Sequence, residues 1–270
     1  MMSEPQAENK QLLGEYKDRY VAFLDLLGFK EQVLKAEADP EERTKLHDVL
    51  RLVRDTIGGN PHLGLRLNYF SDCMVVSADR TAPGLWEMFQ SIFTMTFNLL
   101  QYDVLVRGGL TAGGAYHASD FLYGTAVNRA YEFESRSAQD PLTLVSSEVV
   151  EDAKNYSADH FKWLLEDGPQ RYFVDYLRWY ADYQPTPIYA GKVILDDPGN
   201  RVMEFIRQRL NNDTGSVREK AAWFQAYWNR TVSVNGFFGR ITAGTTERYV
   251  SRGPTIMMRR MYMPNPAKPS

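Results

Sequence analysis

Tyr20–Lys30 reads YVAFLDLLGFK, and the fold turns on this stretch. Tyr20 to Leu27 is apolar and rich in aromatic and aliphatic side chains, as a buried strand is. One charge interrupts it, Asp25. An uncompensated carboxylate inside such a strand costs several kcal/mol. Asp25 therefore caps a neighbouring loop, pairs with an arginine, or faces a bound cation. Gly28 and Phe29 follow, and a helical stretch begins near Lys30. Val33, Leu34, Leu46, Val49, Leu50 and Val53 predict one or two helices up to about Ile57.

Outward from this strand, Gly58-Gly59-Asn60-Pro61 is a turn cluster. Leu65–Ala78, LRLNYFSDCMVVSA, reads as a hairpin with Asp72 at or near its tip. Ser71-Asp72 is also ordinary turn chemistry. Pro83–Leu100 is an amphipathic helix. Val104–Tyr116, VLVRGGLTAGGAY, is a glycine-rich strand. Tyr123–Ser135 opens with Gly124 and continues as a helix. Leu142–Ser146 is a short strand, with Ser147 capping a helix through Lys154. Phe161–Leu165 and Gln170–Val174 form a last strand pair. This order predicts an α+β ferredoxin-like palm: one mixed sheet with helices on one face. The expected division is a loose N-terminus (1–17), the palm (18–195) and a helical extension with a C-terminal arm (196–270). The extension has helices at Val202–Leu210 and Val217–Val232.

The chain has 270 residues, 44% of them apolar and 24% charged, enough for a full core. A formal charge of −3 gives no general attraction to nucleic acid, so no nucleic-acid partner is expected. Cys73 is the single cysteine, which fits a reducing cytoplasm. The first residues, MMSEPQAENKQ, lack an apolar segment, and no run approaches the ~18–20 residues of a membrane span. A cytoplasmic protein without membrane attachment is expected. Trp223, Phe224, Tyr227 and Trp228 have the helical spacing of core or interface packing. His47, His62, His117 and His160 show no metal-ligand spacing.

In a palm, the first strand and the hairpin lie side by side, so Asp25 and Asp72 converge on one edge. Converging carboxylates repel unless a cation neutralises them. Oxygen ligands favour Mg²⁺ or Mn²⁺ with substrate phosphates completing the shell. Two such ions together activate an attacking hydroxyl and stabilise leaving pyrophosphate.

Four motifs carry a family resemblance. FLDLLGFK (Phe23–Lys30) resembles the first metal motif of class III nucleotide cyclases, F-x-D-x-x-G-F. NYFSDCMVV (Asn68–Val76) is similar to their metal hairpin, with Ser71-Asp72 where Gly-Asp is usual. VRGGLTAGGAY (Val106–Tyr116) resembles their glycine-rich strand. YGTAVNRAYEFES (Tyr123–Ser135) is similar to the segment that supplies a catalytic Asn. The resemblance implies that Asp25 and Asp72 bind two Mn²⁺ or Mg²⁺ ions, with the Leu26 carbonyl assisting. The Gly28–Phe29 amides would cradle a triphosphate. Asn128 would orient the ribose, reaching the site from the second protomer of a head-to-tail homodimer. Arg107 would contact the triphosphate or the base.

Departures narrow the substrate. The purine-reading position four before the hairpin Asp holds Asn68, neither Lys nor Glu. The second base-reading position holds Phe121, beside Asp120. The usual transition-state Arg is replaced by Glu132, leaving Arg129, Arg107 and Arg136 as candidate cations. A short cyclase with its metal acids and without the purine-reading pair resembles the bacterial antiphage pyrimidine cyclases. That implies cyclic UMP or cyclic CMP as product, from a nucleoside triphosphate. Phe23, Tyr69 and Phe121 would fill a smaller base pocket, and Asn68 or Arg107 would bond the base edge. A non-catalytic nucleotide-binding or interaction module, an adenylate or guanylate cyclase, and a diguanylate-cyclase-like palm are the competing readings.

Overall fold

The computed structural model describes residues 15–57, 63–118, 120–178, 188–189, 192–193 and 198–231. The turn cluster at 58–61 and the C-terminal arm lie outside them. The chain opens with β1 (Lys17–Leu27), α1 (Phe29–Ala38) and α2 (Pro40–Ile57). Then come β2 (Arg66–Phe70), β3 (Cys73–Asp79), α3 (Ala82–Leu100) and β4 (Leu105–His117). The four strands line up as β2-β3-β1-β4, with every neighbouring pair antiparallel. That is the ferredoxin-like order, so the expected α+β palm is the architecture observed.

Chain chemistry explains the element breaks. Pro40 cannot follow a helical residue, so Asp39 is extended and the helical stretch divides there. Asp39 Oδ1 accepts from the Glu41 N–H at 2.8 Å. The Thr81 side chain caps α3 by accepting from the Gly84 N–H at 3.1 Å.

Strand alternation sorts β1 into two faces. Tyr20, Ala22, Leu24 and Leu26 are buried with Val49 and Val53 of α2 and Leu85, Met88, Phe89 and Ile92 of α3. Val21 and Phe23 look the other way, toward Val75, Ala115, Ala126 and Ala130. Asp25 continues this second row.

The second face carries a helix, which corrects the expectation of helices on one side. After β5 (Leu122–Tyr123), α4 (Thr125–Glu132) packs against β4 and β1 there. It runs on into a π-helical turn, Phe133–Ser137. The approach needs glycine beneath it: a Cβ on Gly109 would lie 2.5 Å from Phe133 Cβ and 2.6 Å from the Ala130 carbonyl oxygen.

The sheet extends through β6 (Thr143–Val145), β7 (Leu164–Glu166) and β8 (Tyr172–Val174) in the order β4-β6-β8-β7. Between β6 and β7 lie α5 (Ser147–Tyr156) and α6 (Ala158–Phe161). The cap position of α5 is Ser146 rather than Ser147. β9 (Ile188–Tyr189) and β10 (Lys192–Val193) form a separate pair. Two helices follow, α7 (Pro198–Asn212) and α8 (Gly215–Thr231). Val202, Ile206, Phe224 and Trp228 join the same core as β1 and α3. Tyr227 donates to buried Asp175 at 2.6 Å and accepts from the Leu177 N–H at 3.1 Å.

At the far end of the second face sits a buried polar chain. Arg19 Nε donates to Ser77 Oγ at 2.9 Å, and Ser77 Oγ lies 2.7 Å from His117 Nδ1. Guanidinium only donates, so Ser77 Oγ accepts from Arg19, and its second contact joins His117 to the same chain. Burial first, then Arg19 and Arg66, push the His117 pKa down to about 4.

Candidate metal and nucleotide site

Register decides which side chains meet. Asp25 pairs with Cys73 on one side and Arg107 on the other. Cross-strand partners share a face, so these three stand together at the end of β1. Asp72 follows from the hairpin. Ser71 adopts a left-handed φ of 57°, which turns the chain between β2 and β3. The Leu26 N–H donates to the Asp72 carbonyl at 2.9 Å, tying the hairpin tip to β1. In a strand a residue's N–H and C=O point the same way, so the Leu26 carbonyl also faces Asp72.

Ligand atoms of Asp25, Asp72 and Cys73 lie within 4.8 Å of one another. The Cys73 thiol is pushed up to about 12 by burial and by the negative charges of Asp72 and Asp25. It is therefore a protonated thiol 3.7 Å from Asp72 Oδ1. The strong donors are carboxylate oxygens with a backbone carbonyl beside them, a set that fits Mg²⁺ or Mn²⁺.

Arg107 binds two acids at once. Its Nη2 donates to Asp25 Oδ2 at 3.1 Å and lies 2.5 Å from Glu134 Oε1. Glu134 sits in the π-helical turn and is 5% exposed. Arg107 Nε is buried without a hydrogen-bond partner. Burial raises the pKa of Asp25; Arg107 opposes this and Asp72 adds to it. Glu134 is raised by burial, against Arg107, with Asp25 and Asp72 contributing. An acid cluster whose charge is costly at neutral pH is ready for a cation.

The other expected residues divide. Phe23 lies on this face, with its ring 5.3 Å from Tyr131. Asn68 pairs with Val75 and shares that face, its Nδ2 donating to the Ala118 carbonyl at 3.4 Å. Gly28 is exposed and left-handed at φ 80°, turning β1 into α1, where free helix amides begin. The Phe29 side chain is in the core, so only its backbone is available. Tyr69 is a correction: it pairs with Met74, and one-residue alternation puts it on the opposite face from Asp25. Asn128 is exposed on α4, whose Ala126 and Ala130 face the sheet. The fold of one chain does not bring it to the carboxylates.

Of the candidate cations, Arg107 alone reaches the acid pair. Arg129 is held by Glu148 at 2.5 Å, and exposed Arg136 lies 3.9 Å from Glu132. Sequence reading missed Glu134, although it continues the four-residue buried spacing of Ala126 and Ala130. It also missed Lys220. Lys220 and Arg209, from α8 and α7, line a cleft with Leu27, Gly28, Glu31 and Asp103. No local sequence signal reveals this, because the docking of the helical extension sets it.

The chain is similar to solved cyclase domains. The guanylyl cyclase Cya2 is 15% identical over 60% of this chain and 93% of that one, with a TM-score of 0.43. The monomeric guanylyl cyclase domain of the RhoGC fusion protein from the aquatic fungus Blastocladiella emersonii is 14% identical over 60% and 97%, with a TM-score of 0.46. An adenylate/guanylate cyclase/hydrolase from Silicibacter pomeroyi is 19% identical over 53% and 83%, with a TM-score of 0.39. No family model and no curated protein matches the chain.

Proposed function

We propose that the chain is a metal-dependent nucleotidyl cyclase that converts a pyrimidine nucleoside triphosphate, UTP in preference to CTP, to its 3′,5′-cyclic monophosphate and pyrophosphate. The observation that carries this is the convergence of Asp25 and Asp72 at one sheet end, beside the left-handed Gly28 turn. Asp25 and Asp72 would hold two Mg²⁺ or Mn²⁺ ions, with the Leu26 carbonyl assisting. Bound there, such ions would lower the pKa of the attacking hydroxyl and offset triphosphate charge. The ribose 3′-oxygen forms a bond to the α-phosphorus as the bond to pyrophosphate breaks, and the hydroxyl proton passes to solvent. The Gly28–Phe29 amides receive the phosphates, and Lys220 across the cleft offsets their charge. Phe23 and Asn68 border the base. The outward position of Asn128, with exposed Tyr131 and Phe121 nearby in sequence, supports a homodimer in which Asn128 serves the partner's site. The resemblance of the FLDLLGF start to the antiphage pyrimidine cyclases supports reading the product as a second messenger of antiphage defence.

The test is incubation of purified protein with each ribonucleoside triphosphate and Mn²⁺, identifying products by mass. Cyclic UMP or cyclic CMP is expected. Cyclic AMP or GMP alone contradicts the base assignment. A second reading, a nucleotide-binding module without turnover, draws on the engagement of Arg107 by two acids and of Arg129 by Glu148. Tight binding with no product would establish it.

A further inference from the structure

Three acids and one guanidinium meet at the end of β1, and their charge balance has a consequence. Asp25, Asp72 and Glu134 set three negative charges against Arg107, leaving a formal charge of two negative that attracts divalent cations. Arg107 is closer to Glu134 than to Asp25, at 2.5 Å against 3.1 Å through the same nitrogen. Glu134 is also the more buried of the two acids.

From this geometry we infer that Glu134 is a positioning residue: it takes up the charge of Arg107 and so leaves Asp25 available to a divalent cation. Glu134 does not touch the cation. It acts through Arg107, as outer partners of metal ligands do. Without its charge, Arg107 neutralises Asp25, and the site keeps only the net charge of one carboxylate. The inference rests on the cation site of the proposed reading and is independent of which nucleotide is used.

The experiment is Mn²⁺ titration of the full chain without nucleotide, reading free Mn²⁺ by electron paramagnetic resonance. Circular dichroism melts verify folding. Glu134→Gln keeps the shape and is expected to weaken Mn²⁺ binding about tenfold. The double variant Arg107→Gln/Glu134→Gln restores the charge balance and is expected to bind nearly as wild type does. A purely structural role gives a double variant as weak as the single one or weaker. That result overturns the inference, as does a Glu134→Gln variant with wild-type affinity or a wild type that binds no Mn²⁺. If Glu134→Gln does not fold, Arg107→Gln alone decides: tighter binding supports the inference and weaker binding overturns it. Product formation with a flat affinity series removes the inference and leaves the cyclase reading. The affinity pattern without product does the reverse.

Discussion

Asp25 and Arg107 face each other across the β1–β4 register, and their side chains meet at 3.1 Å. The sequence reading left Asp25 three partners: a loop, an arginine or a cation. Its partner in the folded chain is Arg107, and Arg107 is shared with Glu134. This fixes the Asp25 side chain next to Asp72.

Gly109 lies under the π-helical turn that carries Glu134. Gly109→Ala places a methyl group against Phe133 and the Ala130 carbonyl. Backbone cannot yield cheaply, so a loss of about 1–3 kcal/mol is expected in urea unfolding. Displacement of Glu134 should also lower turnover in the protein that remains folded. A variant as stable and active as wild type would show that α4 is free to shift.

Lys220 joins the cleft at Gly28 from α8 and makes no hydrogen bond or ion pair among the described residues. Lys220→Met keeps the length of the side chain and removes its charge. Turnover is expected to fall about tenfold or more, with little change in melting temperature, as for loss of a charged contact made in the transition state. Steady-state pyrophosphate release checks this, and unchanged kinetics would remove Lys220 from the site.

His117 gives a pH signature. Its folded pKa, near 4, lies below the usual 6.5, so the fold favours neutral imidazole. The stability this contributes is fully present above pH 6.5 and is lost as pH falls toward 4. Its slope approaches at most about 1.4 kcal/mol per pH unit. Other acids titrate in the same range, so the readout is the difference between wild type and His117→Gln. That difference should shrink from pH 7 to pH 4 in urea denaturation. A difference independent of pH would show that the fold does not favour the neutral imidazole.

Tyr227 ties the helical extension to the palm. Tyr227→Phe leaves the buried Asp175 carboxylate with the Arg178 N–H but without its hydroxyl donor, and strands the Leu177 N–H. A loss of about 1–3 kcal/mol is expected, measured by chemical denaturation in a single transition. Two separate transitions would mean that α7 and α8 fold independently of the palm.

Much of the fold could be read from the sequence because each strand of the palm carries its own signal. The apolar run of β1, the Ser71-Asp72 turn and the 3.6-residue spacing of α3 each act locally. The placement of α4 on the second sheet face was not readable. It depends on small residues, Gly109 with Ala126 and Ala130, whose pattern marks close approach without saying from which side. The site divides in the same way. Asp25 and Asp72 stood out as carboxylates in or beside apolar strands. Glu134 looked like one acid among several on a helix, and its burial shows only once α4 and the π-helical turn are docked on the sheet. Tyr69 shows the cost of one step of alternation: adjacent to Asn68 in sequence, it lies across the sheet from it.

In the proposed cyclase Asp25 and Asp72 together hold the two cations that support cyclisation. The most direct measurement is Mn²⁺-dependent pyrophosphate release from UTP by wild type, Asp25→Asn and Asp72→Asn, each verified as folded. The expected result is release by the wild type, with a cyclic product, and a loss of at least about a hundredfold in both variants. Full activity in either folded variant, or no release from any nucleoside triphosphate by the wild type, would contradict the account.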